Sequence, residues 1–297
     1  REVEIIEETK ELENQNDRTK KEYNFIEETE NENSFKECDD ISTNKGMNLK
    51  EEVKAYIKEC ISSNHHKELI EFMNTELDLE STSQIFDAIY LKKREIYEEL
   101  CLEGIQQNNA VSHHKYGHFL ISKANSDEID EHARHSYMKE ARKHFEESIS
   151  RGFNKSYFSL SLLEGEYFHK IQRSLKLAYE GSERGDSFSK CLFGYYILRG
   201  YGTTKSRERG VSMILSSGFK EFYEQFSTDI GLYYVEKHYE MNLENESENE
   251  NEENYSKKAF EYFKRAYEMN KTQATINNYG ISFMIGFGVK KDMRKAF

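Results

Sequence analysis

Histidine offers the spacing that most invites chemistry in this chain. His113 and His114 are adjacent and His118 follows His114 by one helical turn, so two imidazoles on one helix face could share a metal ion, with His132, His135 and His144 on or near the following helix. No Glu stands where a His-Glu-x-x-His protease needs its base, and no third ligand is placed by spacing. These are therefore expected to be surface histidines, and no metal is expected. The paired glycines are a second candidate, since Gly200-Tyr-Gly202 and Gly286-Phe-Gly288 open like a dinucleotide-binding loop. Both fail the pattern: Lys205 and Lys291 stand where the third glycine belongs, no buried strand precedes either, and each pair follows a helix instead of opening one. No Ser-His-Asp or Cys-His arrangement can be argued from spacing, and Gly-x-Ser-x-Gly is absent. The chain reads as non-catalytic, with no cofactor. Cys38, Cys60, Cys101 and Cys191 form no Cys-x-x-Cys pair, which suits reduced, partly buried thiols acting as small apolar residues.

The elements that carry these residues repeat. A first helix places an aromatic or aliphatic residue before a small one, with another apolar residue three further on. The copies are Tyr116-Gly117 with Leu120, Phe158-Ser159 with Leu162, Phe193-Gly194 with Ile197, Ile230-Gly231 with Tyr234, and Tyr279-Gly280 with Phe283. A second helix repeats as Ala141, Phe145, Ser148 and Gly152, then as Ser174, Ala178, Gly181 and Gly185, and again as Ala259, Phe263, Ala266 and Asn270. The unit between keeps Val211, Ile214 and Gly218, with Arg207 in the small-residue place. Spacings of 33 separate Gly152, Gly185 and Gly218, and 52 separate Gly218 from Asn270. The acidic Asn-Glu run near 242–254, read as a loop inserted between two helices, accounts for that surplus. Phe193, Gly194 and Ile197 are expected to fix neighbouring helices while Gly200 and Gly202 turn the chain. Tyr279, Gly280, Phe283, Gly286 and Gly288 do the same in the last copy.

Composition agrees with an extended stack of helices. Hydrophobic residues are 36% and charged residues 33%, more polar than a single round core needs, and proline is absent where average usage is about 5%. The class expected is all-α, an α/α solenoid of stacked helical hairpins preceded by a disordered acidic segment. Residues 1–45 carry too little apolar surface to offset the entropy of ordering them and form that segment. Residues 46–110 form a helical extension or cap: Asn48 with Glu51 resembles a capping arrangement, and one long helix is expected to end near Gly104. The repeat array fills 111–297 and stops in mid-pattern, as a piece of a longer chain would. The net charge of -13 disfavours nucleic acid as a partner, and no apolar run of about 18 residues is present to span a membrane.

The run Gly286-Phe-Gly-Val-Lys-Lys-Asp-Met-Arg-Lys-Ala-Phe297, with Tyr279, Gly280 and Phe283 before it, resembles the signature of the Sel-one-like repeat (SLR), a relative of the tetratricopeptide repeat. Val289, Asp292, Lys295 and Ala296 fill its later positions. Phe158-Ser159 departs from it by lacking the glycine and by keeping only Gly165 in its hairpin turn. The resemblance implies a right-handed superhelix whose first helices line a concave face for a protein or peptide partner, with the chain acting as an interaction scaffold or adaptor. Two other readings follow from the same family. One is the repeat region of a multidomain enzyme such as a kinase, with its catalytic domain outside this segment; the other is an adaptor of an endoplasmic-reticulum ubiquitin ligase in protein quality control. The cytoplasm is the first expectation for location and the endoplasmic reticulum the second. Acceptor patterns at Asn154, Asn245, Asn254 and Asn270 do not decide between them. Among the tyrosines beyond those needed for packing, Tyr196 and Tyr233 are the concave-face candidates.

Overall fold

Several helices in this chain begin where a side chain caps them, and several end beside a residue that turns left-handed. A computed structural model describes residues 51–92, 94–126, 129–218, 224–244 and 250–296. The expected disordered segment, the cap at Asn48 and Cys38 lie outside them. Among the described residues all regular structure is helical, and it falls into two units that divide after Arg184.

The first unit holds α1 (Glu51–Ser62), α2 (His66–Glu76), α3 (Leu79–Lys92), α4 (Arg94–Gln106), α5 (Ala110–Ala124), α6 (Glu131–Ser150), α7 (Ser156–Leu162) and α8 (Ile171–Glu183). The stretch expected as one helix ending near Gly104 is α3 and α4, and Gly104 lies inside α4. A Cβ there would meet the Ser112 side chain at 1.8 Å, so this glycine sets the approach of α5. Helix α5 packs on α6 and α7 on α8 as hairpins. The earlier helices join them in one apolar core that runs from Ile57 through Phe86, Leu100 and Phe145 to Leu163. The extension is thus continuous with the first repeats.

The second unit holds α9 (Ser187–Arg199), α10 (Arg207–Ser216), α11 (Glu224–Glu244), α12 (Glu250–Met269) and α13 (Gln273–Ile285). Hairpins α9/α10 and α11/α12 pack as expected, and the ring of Tyr279 stacks on Phe260 and Tyr267, at 5.5 and 4.8 Å. The acidic run is mostly not a loop. Helix α11 continues to Glu244 and α12 begins at Glu250, so the surplus residues lengthen both helices of the hairpin, as helix-favouring Glu permits.

Glycine does what the repeat pattern requires of it. Gly152, Gly185 and Gly218, spaced by 33, have φ of 89, 84 and 79°, the left-handed cap that ends each second helix. At the hairpin tips the two best copies match bond for bond. Gly200 and Tyr201 both donate to the carbonyl of Tyr196 and Ser206 to that of Ile197, while Gly286 and Phe287 both donate to Ser282 and Asp292 to Phe283. The α7/α8 hairpin, which keeps one glycine, is turned differently. Gly165 sits within a π-helical turn, Leu163–Tyr167, and the left-handed residue is His169, with φ 54°. First helices are capped in turn by Asn109, Asp186 and Thr272, each accepting from the backbone N–H three residues on.

Small residues also govern how closely the two helices of a hairpin approach, but by different exchanges of volume. A Cβ on Gly117 would lie 2.6 Å from the Phe145 ring, and one on Gly231 would lie 2.5 Å from the Phe263 ring, so a glycine on the first helix makes room for phenylalanine on the second. In α9/α10 the backbones themselves meet. A Cβ on Gly210 would stand 2.6 Å from the Leu198 nitrogen and 2.7 Å from the Gly194 oxygen. The close-packed residue of that second helix is therefore Gly210, and Arg207, which occupies the small-residue place of the repeat, lies at the helix start, paired with Glu236.

Candidate functional site

The histidines of α5 are inside the protein, contrary to the surface position expected. His113 and His114 are buried and His118 is half-buried. Helix α5 runs between neighbours on most sides, so its polar residues must find partners within the fold. Ser148 Oγ donates to the Ala110 carbonyl at 2.7 Å, and Ser156 Oγ donates to Ser148 Oγ at 2.8 Å. Both hydroxyl protons are thereby used, so at the 2.8 Å contact with Ser156 it is His114 Nδ1 that carries the hydrogen and donates. His118 Nε2 meets Ser159 Oγ at 2.9 Å, and His113 Nδ1 meets His144 Nδ1 at 3.0 Å, a pair that can hold one proton between its two nitrogens. Beside them Lys115 pairs with Asp87 at 2.5 Å.

Burial sets the charge state of this network. It pushes His118 down to about 3 and His113 down to about 4, with Arg151 and His144 adding to the effect on His113. His114 and His144 are lowered for the same first reason. The imidazoles are neutral structural hydrogen-bonding groups at neutral pH. His114 with Ser156 has the residue types of a nucleophile and base, but Ser156 is fully buried and its proton is committed to Ser148. His132 and His135 stay exposed, and among the described residues no three His, Cys, Asp or Glu side chains converge as a metal site would need. Cys60, Cys101 and Cys191 are free and buried, and burial raises the thiols of Cys101 and Cys191, which keeps them protonated and unreactive.

One open feature of the second unit is a small cleft lined by Leu198 and Arg199 of α9, Lys205 of the hairpin tip, Arg207 of α10, and Asp229 and Leu232 of α11. Arg199 Nη1 lies 3.2 Å from Asp229 Oδ1, and Arg207 is paired with Glu236 one turn beyond Leu232. Burial holds the Asp229 carboxyl above its ordinary value even though Arg199, Arg207 and Lys205 all pull it down. Along α11, Leu232, Glu236 and Tyr239 follow at helical spacing on one face, and Leu232 and Tyr239 are 42% and 53% exposed. Tyr201 is exposed at the tip beside Arg199, whose guanidinium lies 6.0 Å from the ring centroid.

The two tyrosines singled out by sequence are placed differently. Tyr196 is 7% exposed and flanked by Tyr195 and Tyr201, because α9 is buried on nearly every side from Cys191 to Leu198. At that burial it is a packing residue, and an Ala there would cost stability. Tyr233 is half-buried next to Tyr234, with the Lys237 ammonium 5.9 Å from its ring. Neither lines the cleft.

The fold is similar to that of a solved structure, the protective antigen of uropathogenic Escherichia coli strains described as displaying an SLR fold. It aligns with a TM-score of 0.55 at 17% identity, over 77% of this chain and 46% of that one. The chain has the SLR fold. It spans about half the length of that antigen. A Sel1 repeat protein from Oxalobacter formigenes aligns at a TM-score of 0.46 and 17% identity, over 70% of this chain and 79% of that one. No family model matches the sequence, and no curated protein matches it. Phe193, Gly194, Ile197, Gly200 and Gly202 belong to the helix and tip that carry Leu198, Arg199 and Lys205 of the cleft. Among the described residues no helix is long and apolar enough to cross a membrane.

Proposed function

We propose that the chain is a non-catalytic scaffold that binds a protein partner through the α9 to α11 face of its second unit. The observation that carries this reading is the exposed stripe Leu232, Glu236 and Tyr239 beside an open cleft. Apolar and aromatic groups left in water on a helix face favour removal from water against a partner, and tyrosine combines apolar area with a polar tip. Most of the large apolar side chains that remain exposed among the described residues lie in this unit, including Tyr201, Ile281 and Ile285. The buried histidine network offers no comparable access. The likeness to SLR structures supports a repeat scaffold and leaves the partner to experiment.

Cross-linking of the immobilised full chain in cell extract, followed by mass spectrometry, tests this reading. Cross-links to a partner should concentrate on Lys205 and Lys237, and the pair Leu232→Ser with Tyr239→Ser should lose that partner while Leu102→Ser with Tyr179→Ser retains it. Equal retention by both pairs, or no partner above a blank, refutes it.

A further inference from the structure

The cleft has spare bonding capacity of two opposite kinds. The Asp229 side chain is nine-tenths buried; its Oδ1 faces Arg199, but its Oδ2 is buried in the lining with no hydrogen-bond partner. A buried carboxylate oxygen left in that state is costly, so the site favours whatever brings it a donor. At the rim Lys205 is exposed and has no ion-pair partner among the described residues, whereas Arg207 is already held by Glu236. Leu198 and Leu232 supply apolar walls.

We propose, building on the scaffold reading, that this cleft takes an acidic residue within an extended peptide segment of the partner. The peptide carboxylate sits on Lys205 and the outer N–H groups of Arg199, a backbone N–H donates to Asp229 Oδ2, and a neighbouring aliphatic side chain lies between Leu198 and Leu232. Simpler ligands fit less well. Chloride or sulfate brings an anion but no donor for Asp229, and a cation alone would meet three basic side chains around one carboxylate. A free amino acid adds an ammonium beside those same cations, while a peptide N–H donates without added charge. Against a net charge of -13, a locally basic lining also makes this cleft a favoured place for an acidic segment to land.

The test titrates the isotope-labelled full chain with the capped peptide Ac-Ser-Leu-Glu-Leu-Ser-amide and with its counterpart carrying Gln in place of Glu, following amide resonances. The Glu peptide should perturb residues 198–207 and 229–232, and bind at least about tenfold more tightly than the Gln peptide. Lys205→Gln, at an exposed tip residue, should bring the Glu peptide down to the level of the Gln peptide while the rest of the spectrum is retained. Equal binding of the two peptides, perturbation confined to other helices, or displacement of the Glu peptide by inorganic phosphate at equal concentration would each overturn the assignment. The scaffold reading has its own readout. A cross-linked partner that is lost with Leu232→Ser and Tyr239→Ser but kept by Lys205→Gln would leave the scaffold standing and remove the acidic segment from this cleft.

Discussion

Mild acid should unfold the first unit before it disturbs carboxylates, and the size of the effect follows from the neutral histidines of α5 and α6. An unfolded histidine titrates near about 6.5, so below that pH the unfolded chain takes up protons that the folded one refuses, and stability falls. Their contribution is complete above about pH 6.5 and is lost as pH falls toward the folded values of about 4 for His113 and about 3 for His118. At pH 5 the unfolded state gains about 1.5 pH units of protonation free energy per histidine, or about 2 kcal/mol each. His113 and His118 together then remove about 4 kcal/mol, a large share of the 5–15 kcal/mol typical of a domain. His114 and His144 are lowered by burial as well and add to the fall in the same direction. Glu147, lowered mainly by its hydrogen bond with Arg151, also loses stabilisation in acid, but from the ordinary carboxylate value downward and so later than the histidines. Asp229 in the second unit has the opposite sign: burial raises it, so protonation relieves rather than strains that unit. The chain has no Trp, so the assay is hydrogen exchange read by mass spectrometry in urea at pH 7, 6 and 5, corrected for intrinsic exchange rates. Peptides spanning 110–160 should lose protection in step with the figure above, and His118→Gln, which can still reach Ser159, should recover about half of it. Protection that is flat from pH 7 to 5, or imidazole resonances titrating near the free value, would refute the reasoning.

Two further outcomes concern packing. Gly210→Ala should destabilise the second unit by about 1–3 kcal/mol or more in urea unfolding, because the added methyl meets the backbone of α9, which cannot rotate aside; a neutral effect would mean that the hairpin is looser than described. Glu164, fully buried between Arg142 and Arg173, is the sole carboxylate bridging those two guanidinium groups among the described residues, and Glu164→Ala should cost about 3–5 kcal/mol in thermal or urea unfolding of the first unit, with Glu164→Gln costing less.

The repeat framework was legible because its determinants are local. Only glycine takes a left-handed cap at little cost, so Gly152, Gly185 and Gly218, and the tips at Gly200 and Gly286, could be placed from spacing alone. What escaped depends on partners far along the chain. His114 and His118 meet serines 42 and 41 residues away, and nothing in their own neighbourhood marks them as interior. His169 replaces a turn glycine without a sequence signal, and Gly210 takes over the small-residue role at a shifted place because the α9 and α10 backbones approach directly. Tyr196 and Tyr201 are five apart in one aromatic group, yet only the packing separates the buried ring from the exposed one. The cleft was missed since Asp229 and Lys205 look like ordinary surface charges until the fold brings them together.

The exchange of volume between paired helices bears on how such a chain can be recombined. Gly117 makes room for Phe145 and Gly231 for Phe263, whereas Gly210 leaves room only for the backbone of the facing helix. A helix transplanted alone from one repeat to another would bring a ring against a ring's place or leave a void where a ring belonged. Whole hairpins carry both halves of the fit with them. The module that duplication and shuffling can pass on is thus the hairpin with its left-handed junction, and single helices are not portable between the copies.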